Sequence, residues 1–132
     1  MKNILIADDD RTFREALVAY LYSKLKNYNL LTAEDGEKAI EILEATHVSL
    51  ILTDLVMPKA DGYELIDYVT EHNPDIPVII MTSSWSVELV ALLQKMPHIL
   101  FIEKPLHLED IDRMIIGPLM TNDQAPAGSA AN

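Results

Sequence analysis

Five short runs dominated by Ile, Leu and Val constrain this chain more than any other feature. They are Ile4 to Ala7, Tyr28 to Ala33, Ser49 to Thr53, Ile76 to Met81 and Ile99 to Glu103. Their apolar residues are continuous rather than alternating, the pattern of strands buried on both faces of a parallel sheet. The stretches between them have helical period: Phe13, Ala16, Leu17, Tyr20 and Leu21 in the first, Ala39, Ile42 and Leu43 in the second, Leu65, Ile66 and Val69 in the third. One-faced helices alternating with two-faced strands predict a (βα)5 doubly wound α/β sandwich. Right-handed crossovers then bring every strand C-terminus to one edge. Ligands bind such sheets at that edge, where strand order reverses.

A last helical pattern, Leu108, Ile111 and Ile115, is expected to stop at Gly117 and Pro118. No bulky apolar residue occurs from Thr121 to Asn132. Residues 1–116 therefore read as one domain and 117–132 as a disordered tail or the start of a linker. A chain of 132 residues buries about two-thirds of its unfolded surface, which supports one core without disulfides or structural metal. The absence of cysteine excludes thiolate zinc sites and thiol nucleophiles. Ten Lys and Arg against 21 Asp and Glu give a formal charge of −11, the wrong sign for a nucleic-acid surface. The short apolar run between Lys2 and Asp8 is too brief for a secretory or membrane-spanning segment, so no membrane partner and a cytoplasmic location are expected.

The strand ends carry the chemistry. Asp8, Asp9 and Asp10 follow the first strand, Asp54 the third, Thr82 and Ser83 the fourth, and Lys104 with Pro105 the fifth. Singly, each has a structural explanation: Asp10 as a helix cap, Asp54 as a turn residue, Thr82 and Ser83 as a helix start, Lys104 as a surface lysine. Together they do not. In the flavodoxin-like order 2-1-3-4-5 strands one and three are neighbours, so Asp8, Asp9 and Asp54 converge at the switch point. Each carboxylate pair at about 4 Å repels by roughly 4 kcal/mol at an effective dielectric near 20, so the cluster calls for a cation. Oxygen ligands with water suit Mg2+ or Mn2+, not zinc. A carboxylate beside a hard cation, with the Thr82 hydroxyl and the Lys104 ammonium, is arranged to receive a phosphoryl group.

At these residues the chain resembles the response-regulator receiver domain of two-component signalling. The stretches that carry the resemblance are Ile4 to Asp10, Leu52 to Pro58 with Asp61-Gly62, Met81-Thr82-Ser83 and Phe101 to Pro105, and the match spans roughly Lys2 to Ile116. The resemblance implies that Asp54 is the phosphoacceptor and that Asp8 and Asp9 hold Mg2+ with Asp54 and the Val56 carbonyl. It implies further that Thr82 is the switch hydroxyl, Lys104 the phosphate-pairing amine in a cis Lys104-Pro105 peptide, and Phe101 the switching aromatic. A sensor histidine kinase or phosphotransfer protein would be the donor. An output protein or a second receiver would bind the face formed by helix four, strand five and helix five. Such a domain catalyses only its own phosphorylation and dephosphorylation. One departure is Pro97-His98, where many receivers carry Gly-Ala, which alters the surface near the output face.

The strongest rival is a haloacid-dehalogenase-like phosphohydrolase, with Asp8 as nucleophile and Asp10 as general acid in Asp-x-Asp-x-Thr. Against it, a helix begins directly after Asp10, too little chain follows Lys104 for another acidic strand, and Asp54 has no role. A third reading is a docking module that signals without phosphorylation, which the set Asp54, Thr82 and Lys104 argues against. His47, His72 and His107 read as surface residues. The fourth helix, expected from about Trp85 to Met96, has two apolar stripes, Val87, Val90 and Ala91 on one side and Leu89, Leu92, Leu93 and Met96 on the other. One stripe suffices to pack on the sheet, so the other is expected to serve as a contact surface.

Overall fold

The computed structural model describes residues 1–83 and 85–124. Five parallel strands form one sheet in the order β2-β1-β3-β4-β5, where β1 is Lys2–Ala7, β2 Tyr28–Ala33, β3 Leu50–Thr53, β4 Val78–Thr82 and β5 Leu100–Glu103. Helices α1 (Arg11–Lys24), α2 (Gly36–Ala45), α3 (Gly62–His72) and α4 (Val87–Lys95) connect them, and α5 begins at Leu108. The apolar runs become strands because their successive residues serve two cores. In β1, Ile4 and Ile6 pack with Leu17, Leu21, Ile111 and Ile115 from α1 and the C-terminal helix. Leu5 and Ala7 face the other way, onto Ala39, Leu43, Leu65, Ile66 and Leu89 from α2, α3 and α4. β3 and β4 divide in the same manner, Leu52 and Ile79 to one side, Ile51 and Ile80 to the other. Burying one such side chain contributes about 1.5–3 kcal/mol, so the central strands supply much of the driving force. The two-faced pattern weakens at the edges, where Asn29 and Thr32 of β2 and Leu100 and Glu103 of β5 are exposed.

The helices start where side-chain caps allow. Asp10, Asp35, Asp61 and Ser86 each accept a hydrogen bond from the backbone N–H three residues on. Asp10 is thus the cap expected of it. α4 is shorter than its apolar pattern, starting after Ser86 rather than at Trp85 and ending before Met96.

The C-terminal helix corrects the sequence reading. It does not break at Gly117 and Pro118 but runs through α5 (Leu108–Ile111) and a π turn (Asp112–Ile116) into α6 (Gly117–Gln124). The reason is local geometry. Proline has no N–H, and its ring collides with the carbonyl four residues back in an α-helix. Here the turn just ahead widens, and the Gly117 N–H bonds to the Asp112 carbonyl five residues earlier. Ile111, Ile115 and Ile116 stay in the core, and Leu119 packs against it. Residues 117–124 of the expected tail are therefore helical, and positions 125–132 lie outside the described residues.

Candidate functional site

Backbone ladders continue one residue past the strands and set the site. The Asp8 N–H bonds to the Ala33 carbonyl at 3.0 Å, the Asp54 N–H to the Ala7 carbonyl at 2.9 Å and the Lys104 N–H to the Thr82 carbonyl at 2.9 Å. Three residues far apart in sequence are thereby held at one level of one sheet edge. Oxygens of Asp8, Asp9 and Asp54 lie within 4.8 Å of one another, with Asp8 and Asp54 buried and Asp9 exposed. Lys104 Nζ donates to Asp8 Oδ2 at 2.6 Å and to Asp54 Oδ2 at 2.9 Å. Its side chain is only 15% exposed. The Lys104-Pro105 peptide is cis.

Each carboxylate is fixed by more than Lys104. Asp8 Oδ1 accepts from the Asp10 N–H at 2.9 Å, and Arg14 Nη1 donates to the Asp8 carbonyl at 2.7 Å. Asp54 Oδ1 accepts from the N–H groups of Leu55 at 2.6 Å and Val56 at 3.3 Å. The loop after Asp54 folds back tightly, the Gly62 N–H bonding to the Leu55 carbonyl at 2.9 Å. A Cβ on Gly62 would sit 2.2 Å from the Asp54 carbonyl oxygen, so only glycine allows this approach.

Burial pushes the Asp8 carboxyl up from its ordinary 3.8, and the repulsion of Asp54 adds to this, although Lys104 and the Asp10 N–H pull the other way. For Lys104 burial acts downward, but the hydrogen bonds and charges of Asp8 and Asp54 together outweigh it and the net shift is upward. The carboxylate cluster therefore already contains one cation, the Lys104 ammonium. The motif pairs Lys104 with an incoming phosphate; in the structure its ammonium also bridges two of the three aspartates. An all-oxygen donor set of three carboxylates, one of them open to solvent, fits a hard divalent cation.

Thr82 is buried at the end of β4, and Phe101 lies on adjacent β5 opposite Ile80, half-buried. The Trp85 ring stacks on Phe101 with centroids 4.7 Å apart and planes 26° from parallel. The exposed stripe of α4 is the one carrying Val87, 87% exposed, and Val90, while Leu89 is buried and Leu92, Leu93 and Met96 pack against the core. His47, His72 and His107 are all exposed. Two residues that touch the site, Phe13 and Arg14, were not singled out from sequence. Phe13 reads there as one more member of the apolar face of α1, and only its position one turn past the Asp8 loop hints otherwise.

The family model for the response regulator receiver domain matches residues 4–116. The chain belongs to the response regulator receiver domain family. The receiver domain is 36% identical over 120 residues to the response regulator receiver protein CpdR of Brucella abortus, an alignment covering 88% of this chain and 98% of that protein. It is 36% identical over 106 residues to a cyclic di-GMP phosphodiesterase of Thermotoga maritima, covering 80% of this chain but only 28% of that much longer protein. Among solved structures, the fold matches a CheY-like receiver domain protein from Methanospirillum hungatei, with TM-score 0.81 and 23% identity over 96% of this chain and 99% of that one. The receiver domain thus serves two-component signalling. No helix among the described residues is long and apolar enough to cross a membrane.

Proposed function

We propose that Asp54 is the phosphoacceptor of this receiver domain and that Asp8, Asp9, Asp54 and the Val56 carbonyl hold Mg2+ there, Mn2+ being an acceptable substitute. The observation that carries this reading is the Lys104 ammonium within hydrogen-bond reach of both Asp8 and Asp54. It puts a fixed positive charge beside the acceptor carboxylate. An Asp54 carboxylate oxygen forms the new O–P bond as the donor's P–N bond, or the P–O bond of an acyl phosphate, breaks in line. The leaving imidazole or carboxylate departs with the electron pair. Backbone N–H groups of Leu55 and Val56 hold the Asp54 carboxylate in one rotamer for that attack. Lys104 pairs with the phosphoryl oxygens, and the bound cation supplies the remaining charge neutralisation. The domain catalyses phosphorylation and hydrolysis at its own Asp54 and turns over no external substrate. Asp10, the general acid of a phosphohydrolase reading, instead uses Oδ1 to cap α1.

Phosphorylation at Asp54 would draw the Thr82 hydroxyl inward and shift a pre-existing equilibrium of Phe101 on the next strand. The readout would be the face of α4, β5 and α5, where Trp85, Val87, Val90, Leu100 and Leu108 are exposed. Partners are a histidine kinase or phosphotransfer protein upstream and an output protein or second receiver on that face, in the cytoplasm. Residues 1–116 would form the receiver, with the C-terminal helix continuing to Gln124. Intact-mass measurement after incubation with Mg2+ and acetyl phosphate tests the acceptor. A phosphoryl adduct is expected in the wild type and lost in Asp54→Ala. An adduct kept in Asp54→Ala but lost in Asp8→Ala would favour the phosphohydrolase.

A further inference from the structure

The Lys104 ammonium has three N–H groups, and two of them are accounted for by Asp8 and Asp54. On its remaining side stands the ring of Phe13, whose centroid is 4.1 Å from Nζ. We infer that Phe13 is a positioning residue for phosphoryl transfer, holding Lys104 over the site through a cation–π contact. This inference rests on Asp54 being the phosphoacceptor.

The geometry is built rather than incidental. The Phe13 N–H is held by the Asp10 cap at 3.1 Å, which fixes the first turn of α1 directly after the acidic loop. The next residue, Arg14, ties the same turn to the Asp8 carbonyl at 2.7 Å. Phe13 itself is half-buried against the core that includes Leu17 and Ile111. Its ring and Lys104 both line a groove of about 450 Å³ between α1 and the segment after β5.

The chemistry explains why an aromatic ring suits this position. Asp8, Asp9 and Asp54 would hold a divalent cation, whose charge would loosen the ammonium's hold on Asp8. Lys104 must pass from the Asp54 carboxylate to phosphoryl oxygens as the group is transferred. A third carboxylate beside it would compete with the phosphoryl group for the same N–H donors. Water would let the four-carbon stem wander. A π face attracts the ammonium wherever its protons point, so it restrains position while leaving all three N–H groups free to pivot.

Four variants and the wild type test this: Phe13→Leu, Phe13→Tyr, Lys104→Met and the double variant Phe13→Leu with Lys104→Met. The rate of phosphorylation by acetyl phosphate at saturating Mg2+ is read by intact mass, Mg2+ affinity by calorimetry, and the Lys104 ε-methylene protons by NMR. Phe13→Leu should slow phosphorylation about three- to tenfold, the range of a partly desolvated cation–π contact. Mg2+ affinity should change less than twofold. The ε-methylene protons, shifted upfield by the ring in the wild type, should return to ordinary lysine positions. Phe13→Tyr, which keeps the ring, should recover most of the rate and the upfield shift. In the Lys104→Met background the Phe13→Leu change should slow the residual rate no further. A wild-type rate in Phe13→Leu, equal slowing with and without Lys104, or the absence of an upfield shift in the wild type would each overturn the inference. An unlabelled Asp54 in the wild type would instead strike down the phosphoacceptor reading, and the role of Phe13 in transfer with it, whatever the NMR signal.

Discussion

Lys104 Nζ sits 2.6 Å from Asp8 Oδ2, on the carboxylate that a divalent cation in the same cluster would need. At the proposed Mg2+ site, ammonium and metal would compete for Asp8. Removing Lys104 leaves two buried carboxylates without a counter-charge, a change that costs on the order of 3–5 kcal/mol for a buried pair. In EDTA, Lys104→Met should melt well below the wild type. Added Mg2+ should raise its melting temperature by more than it raises that of the wild type, because no ammonium has to leave. An equal or smaller Mg2+ shift in a thermal melt would show that the two cations do not compete.

The displaced titration of Asp8 predicts a pH slope in stability. Its carboxyl is raised in the folded protein, chiefly by burial, against 3.8 when unfolded. Between those two values the folded state binds more protons than the unfolded chain, so this contribution to stability falls as pH rises through the window and levels off above it. Lys104, also raised, adds nothing to that slope. Its contribution is complete at neutral pH and is lost only as pH climbs through its folded pKa above 10.5. Without divalent cations, urea titrations of wild type and Asp8→Asn from below pH 3.8 upward should diverge, the wild type losing stability relative to the variant. Parallel curves would mean that Asp8 titrates alike in both states.

Gly62 lets the loop after β3 close on Asp54. In Gly62→Ala the new methyl meets the Asp54 carbonyl oxygen and the Leu55 Cα, both backbone atoms that can move only with Asp54. A loss of about 1–3 kcal/mol is expected from overpacking. Phosphorylation by acetyl phosphate should slow in protein that is still folded. A variant with wild-type rate and stability would show that the loop can open without disturbing the site.

Lys59 is the one non-glycine residue among those described with a left-handed backbone, at φ 66°. Its contact with Asp35 is long, 3.9 Å, and its own side chain is largely exposed, so the ion pair contributes little. Asparagine enters the left-handed region more readily than lysine. Lys59→Asn should therefore stabilise the domain by about 0.5 kcal/mol in urea denaturation. A destabilised variant would assign more to the Asp35 contact than its length suggests.

The five-stranded architecture and the convergence of Asp8, Asp9 and Asp54 at one sheet edge were legible in the sequence alone. The runs Ile4 to Ala7 and Ser49 to Thr53 read as strands covered on both faces because their apolar residues are continuous rather than alternating. Placing them side by side with Ala7 opposite Thr53 brings the next residues, Asp8 and Asp54, together. Capping was legible at Asp10 for the same reason: it depends on neighbours three residues away. What no local pattern shows are contacts between elements and choices made by packing. Gly117 and Pro118 read as a stop, yet burial of Ile115 and Ile116 keeps the helix going through a widened turn that tolerates the proline. Both stripes of α4 are apolar, and only the position of the sheet selects Leu89 for the core and leaves Val87 outside. That Lys104 spans Asp8 and Asp54 with Phe13 at its back follows from where the residue after β5 lies relative to the first turn of α1. That spatial relation links residues more than 90 positions apart, beyond the reach of any local pattern.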